Sequence, residues 1–106
     1  MFDFIKNMFA SPVDEQLSGV IKNGAKLLDV RSPQEYAEGH VKGSINIPVD
    51  RLANHINDLK KTDTFVVFCR SGNRSGMAKA ILTAKGFHNV FDGKTWNNVN
   101  NIVNSF

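Results

Sequence analysis

The sequence predicts an α/β domain: a central, mainly parallel sheet of about five short strands, flanked by helices on both faces. Two observations predict it. Short apolar runs such as Phe65-Val66-Val67-Phe68 and Lys26-Leu27-Leu28-Asp29-Val30 show no polar alternation, which marks strands buried on both sides. Between such runs the apolar residues recur at helical spacing, so strand and helix alternate almost throughout, the pattern of a parallel sheet covered by crossover helices.

The elements follow in order. Phe2, Ile5 and Phe9, with Phe4 and Met8 beside them, predict a short amphipathic helical extension over residues 1–11 that packs on the domain. Residues 12–106 then form one domain. Ser11-Pro12-Val13-Asp14 reads as a helix start, with Val13, Leu17, Val20 and Ile21 inward and Asn23-Gly24 as the stop. After the strand at Lys26–Val30, Ser32-Pro33-Gln34-Glu35 repeats the capping signature. Ile45-Asn46-Ile47-Pro48 predicts a second strand, and Leu52, Ile56 and Leu59 a helix from about Val49 to Lys60. The strand Phe65–Phe68 is the central one. A polar loop leads into a helix with Ala78, Ile81, Leu82 and Ala84 inward, capped at Gly86. Asn89-Val90-Phe91 is the last strand, and Trp96, Val99, Val103 and Phe106 line a closing helix.

With 106 residues, 22% of them charged, and a net charge of +3, this is a globular chain with one core. The basic residues are dispersed, with no basic run and interleaved aromatics, which excludes a nucleic-acid surface. No apolar stretch is long enough to span a bilayer, and Asp3 and Lys6 interrupt the N-terminal apolar residues, so neither membrane insertion nor secretion is expected. A single cysteine excludes a disulfide framework and a multi-cysteine zinc site. The expectation is a cytoplasmic protein with a reduced thiol and neither metal nor cofactor.

That cysteine, Cys69, carries the chemistry. It directly follows the central strand, where ligands of parallel sheets bind, and the chain continues Arg70-Ser71-Gly72-Asn73-Arg74-Ser75-Gly76 into a helix. Such a turn aims backbone N–H groups at one point and adds the positive end of the helix dipole, while Gly72 and Gly76 permit the tight geometry. Arg70 and Arg74 supply fixed cations. A lone cysteine after an apolar strand is ordinarily a small buried hydrophobe. The arginines, serines and glycines that follow are not needed by one, and they point to a reactive thiolate at the mouth of an anion-binding loop.

Three stretches together resemble the single-domain rhodaneses, sulfurtransferases that carry sulfur as a cysteine persulfide. They are Leu28-Asp29-Val30-Arg31 with Glu35-Tyr36, then Gly39-His40-Val41-Lys42-Gly43-Ser44-Ile45-Asn46-Ile47-Pro48, then Cys69 to Ser75, with Gly93 and Trp96 beyond. The resemblance covers roughly residues 13–100 and implies the rhodanese-like fold. It implies that Cys69 accepts sulfane sulfur from thiosulfate or a persulfide and passes it to cyanide or a thiol. Arg70, Ser71, Gly72, Asn73, Arg74 and Ser75 would cradle the persulfide and the donor's anionic oxygens, and Asp29, Arg31, Glu35 and His40 would be structural supports. With one cysteine, the resolving thiol comes from outside the chain, from a small thiol or a thioredoxin-like partner. A sulfur-relay or regulatory module, loaded by a desulfurase or delivering to a protein partner through the N-terminal helix, is the alternative. Cysteine phosphatases and arsenate reductases share parts of this pattern. However, the phosphatases place five residues between nucleophile and arginine, where only four, Arg70 to Asn73, stand here. Asp92-Gly93 replaces the family's usual double glycine, and the asparagine-rich end lacks its common glycine-proline.

Overall fold

The computed structural model describes residues 12–106. The proposed Ser11 cap and the helix expected from Phe2, Ile5 and Phe9 lie outside those residues. The order is α1 (Pro12–Lys22), β1 (Lys26–Asp29), α2 (Pro33–Glu38), β2 (Ile45–Asn46), a 3₁₀ helix (Val49–Asp58), β3 (Phe65–Cys69), α3 (Asn73–Ala84), β4 (Val90–Thr95) and α4 (Trp96–Asn104).

The described strands form one parallel sheet in the order β2-β1-β3-β4. All five residues of β3 are buried, and their side chains alternate between two cores. Phe65, Val67 and Cys69 join Leu28, Val30, Leu52, Ala78, Leu82 and Phe87 under the 3₁₀ helix and α3. Val66 and Phe68 join Leu17, Leu27, Val41 and Val99 under α1 and α4. Burying one such side chain contributes about 1.5–3 kcal/mol, whereas strand propensity spans only about 1 kcal/mol, so burial on both faces fixes β3 as an inner strand.

The sheet has four described strands where about five were expected: the buried apolar residues outside them lie on helices or, like Val41, Ile47 and Phe87, in connecting segments that pack into the cores without joining the ladder. The helix expected over Val49–Lys60 is a 3₁₀ helix ending at Asp58. Val49 and Leu52, like Ile56 and Leu59, stand three apart, and a three-residue turn eclipses each pair over the core. Within α3, Ala78 and Leu82 are buried but Ala84 faces solvent. In α4, Val99 is buried while Phe106 beyond it is 56% exposed, with the Lys22 ammonium 5.2 Å from its ring.

The last strand departs furthest from expectation, running past Phe91 through Asp92, Gly93, Lys94 and Thr95. Val67 pairs with Asp92 and Phe68 with Lys94, so Gly93 is an extra residue, a β-bulge. Only glycine fits: a Cβ there would lie 2.7 Å from Val99 Cγ2 and 2.9 Å from Val66 Cγ1.

Candidate active site

Cys69 is the final residue of β3 and pairs with Thr95, so the sheet continues through it and its side chain points into the core beneath the loop. Its sulfur is therefore at the floor of the loop, fully buried, and not at the mouth as the sequence suggested. Gly72 turns the chain in the left-handed region (φ 101°), and α3 begins at Asn73. The turn brings two backbone donors onto the sulfur: Gly72 N–H at 3.0 Å and Ser75 N–H at 3.4 Å. Burial pushes the Cys69 thiol up, but the N–H groups of Ser75, Gly72 and Ser71 and the Ser75 hydroxyl outweigh it, and the net shift is downward.

Among the other loop residues, Arg70, Ser71 and Asn73 are exposed, and Ser75 is buried with its hydroxyl donating to the Gly72 carbonyl at 2.9 Å. Arg74 is committed to Glu35: its two terminal nitrogens donate to Oε1 at 2.6 Å and Oε2 at 3.0 Å. Glu35 also closes the capping box at the start of α2, accepting from Ser32 N–H at 3.0 Å while its own N–H donates to the Ser32 hydroxyl. The Arg74 guanidinium, with the Ser32 bonds assisting against burial, holds the Glu35 carboxyl at about 2. One carboxylate thus ties the start of α2 to the first turn of α3.

The end of β1 is tied as firmly. Arg31 is buried and donates from Nε to Asp29 Oδ1 at 2.9 Å, from Nη2 to Asp29 Oδ2 at 2.7 Å, and from Nη2 to the Gly39 carbonyl at 2.7 Å. Its guanidinium lies 4.7 Å from the Trp96 ring centroid. Asn46 donates to the carbonyls of Asp29 and Arg31, both at 3.0 Å. His40 is exposed, stacked on Tyr36 with centroids 3.8 Å apart, and its Nδ1 lies 2.8 Å from the Tyr36 carbonyl oxygen. It has no bond to Cys69.

Beside the loop, at the carboxyl ends of the strands, lies an open groove of about 460 Å³ lined by Arg31, Glu35, Glu38, Gly39, Arg70, Trp96 and Asn97. A groove of about 350 Å³ at the opposite end of the sheet, near Lys26 and Thr64, contains none of the candidate site residues. Sequence reasoning missed Glu38, Asn97 and the bulge at Asp92–Lys94. Glu38 and Asn97 look like ordinary solvated helix residues, but the departure from double glycine at Asp92 was a usable signal.

A parallel sheet with a cysteine-bearing turn between strand and helix, backbone donors on the sulfur, and an arginine locked behind them defines an α/β domain built around one thiol. The family model described as Rhodanese-like domain matches residues 13–94, and the chain belongs to that family. Thiosulfate sulfurtransferase PspE of Escherichia coli is 43% identical over 67 residues, 59% of this chain and 62% of that protein. The chain therefore spans less than two thirds of that relative. Thiosulfate sulfurtransferase GlpE of Pseudomonas aeruginosa is 33% identical over 87 residues, covering 82% of this chain and 79% of GlpE. A solved structure described as a rhodanese with anions from E. coli superposes with a TM-score of 0.66 at 35% identity, over 71% of this chain and 91% of that one. No helix among the described residues is long and apolar enough to cross a membrane.

Proposed function

We propose that this chain is a sulfurtransferase that moves sulfane sulfur from thiosulfate or a persulfide donor to cyanide or a thiol through a Cys69 persulfide. The observation that carries the reading is the convergence of the Gly72 and Ser75 N–H groups on the sulfur of Cys69. Donors so placed favour the thiolate and can hold an anionic substituent on it. Kinship to proteins named thiosulfate sulfurtransferase supports the same reading.

The Cys69 thiolate attacks the outer sulfur of thiosulfate. A sulfur–sulfur bond forms to Cys69, and the bond to the sulfonate sulfur breaks, with sulfite leaving on its electron pair. An acceptor thiolate or cyanide then attacks the outer sulfur, and the Cys69 thiolate is the leaving group. The sole cysteine makes the acceptor external. With both terminal nitrogens on Glu35, Arg74 acts as a support of the loop, and the exposed Arg70 is the loop cation left for the donor's anionic oxygens.

Intact-mass measurement after thiosulfate treatment tests the reading. One added sulfur on the wild type, discharged by cyanide and absent from Cys69→Ser, is expected. A wild type that takes up no sulfur refutes it.

A further inference from the structure

The sulfur of Cys69 has two unlike sides. Toward the loop it accepts the Gly72 and Ser75 N–H groups; toward β4 its S–H faces the carbonyl oxygen of Lys94 at 3.6 Å. That oxygen is placed by the bulge. Lys94 has φ 66°, the only positive φ among the described non-glycine residues, in a region that disfavours side chains. Asp92 Oδ1 accepts the Lys94 N–H at 2.8 Å, which closes the turn. Behind it Gly93 is wedged against Val99 and Val66, and its carbonyl accepts from Asn98 Nδ2 at 3.2 Å. Lys94 Cβ lies 3.9 Å from where a Cβ on Gly72 would stand, so bulge and loop pack together.

We propose that Asp92 is a positioning residue for the sulfur chemistry: its carboxylate locks the Asp92–Gly93–Lys94 bulge so that the Lys94 carbonyl closes the β4 side of Cys69 and directs a carried sulfur toward the N–H donors of the loop. The idea rests on the proposed sulfur carriage. Loading replaces S–H by S–S, so the carbonyl loses its proton donor and presents only a negative dipole end. An anionic outer sulfur is repelled there and attracted by the opposing N–H groups. The same carbonyl favours the protonated thiol, which opposes the loop donors and keeps the resting sulfur inward.

Charged groups on the neighbouring elements also act on this region, and the test must separate them. They are Arg74 of α3, which interacts with Cys69, Glu35 and Asp29, Arg70 and Arg31 along the adjoining groove, Asp50 and Arg51 of the 3₁₀ helix on the other side of Arg74, and Asp92 and Lys94 themselves. Asp92→Asn removes the charge but keeps the acceptor oxygen, whereas Asp92→Ala removes both.

The full-length chain is alkylated at Cys69 with a small neutral reagent across pH, and the midpoint of the rate profile is read. In Asp92→Ala the midpoint falls by about half to one pH unit, and discharge of the loaded sulfur to cyanide slows roughly fivefold. Asp92→Asn stays within about 0.2 units of the wild type. A midpoint in folded Asp92→Ala equal to the wild type, or shared by Asp92→Asn, overturns the proposal. If Asp92→Ala does not fold, Asp92→Gly is compared with Asp92→Asn and read the same way. Alkylation requires no sulfur transfer, so a flat midpoint condemns the bulge alone, while failure of the wild type to load sulfur condemns the proposed function alone.

Discussion

Replacing Glu35 by glutamine should cost stability that depends on pH in a calculable way. The carboxyl sits at about 2 instead of its ordinary 4.5, chiefly because both its oxygens are bound by Arg74. Taken in full, that depression corresponds to about 3.4 kcal/mol. The two side chains are 24% and 33% exposed, and solvent screening reduces the usable part to about 1–2 kcal/mol. Because the folded pKa is depressed, the contribution is present above the ordinary value and is lost as pH falls toward 2 and the folded carboxyl protonates. Glutamine keeps an oxygen for Ser32 N–H, so the capping box survives and the charge is isolated. Urea unfolding of wild type and Glu35→Gln should therefore differ by about 1–2 kcal/mol near neutral pH, with a difference that shrinks as pH falls below the ordinary value and vanishes only below about 2. Adding Arg74→Gln to Glu35→Gln should cost less than the sum of the single changes, since the partners share one interaction. A difference that stays constant between neutral pH and about pH 2.5 would refute the ion-pair account.

Other expectations concern packing and buried charge. Gly93→Ala should destabilise by at least about 2 kcal/mol in urea unfolding, because Val67 O, a backbone atom 3.3 Å from the new Cβ, cannot swing aside. Gly19→Ala, in the interior of α1 with nothing within 4 Å of the new Cβ, should instead stabilise by about 0.5–1 kcal/mol. Asp29→Asn leaves the Arg31 guanidinium buried without its carboxylate and should cost about 3–5 kcal/mol by the same measurement.

What was legible in the sequence is what local pattern encodes. Phe65–Cys69 is apolar throughout, so its place inside the sheet could be read directly; Ser32 and Glu35 announced their capping box three residues apart. The loop from Cys69 to Ser75 could be read because strand, glycine and helix follow within a few residues. Contacts distant in sequence were not legible. Nothing local pairs Arg74 with Glu35, thirty-nine residues earlier. The burial of Cys69 follows from its pairing with Thr95, and β4 was read too short because Asp92, Gly93 and Lys94 have poor strand character. Their placement comes from the extra residue in the ladder and the packing of Gly93, which only the assembled sheet reveals.

The bulge has one more consequence, for how molecules of this protein meet. Among the described strands β4 is a sheet edge, and an unbroken row of free N–H and C=O groups there would invite another chain to add a strand. The extra residue breaks the row, the Lys94 N–H is already spent on Asp92, and two opposite charges stand on the border. At the other edge β2 is only two residues long, and Pro48 follows soon after with no N–H to offer. Among the described residues, a sheet that buries its reactive sulfur also leaves no straight border on which a neighbour could extend it.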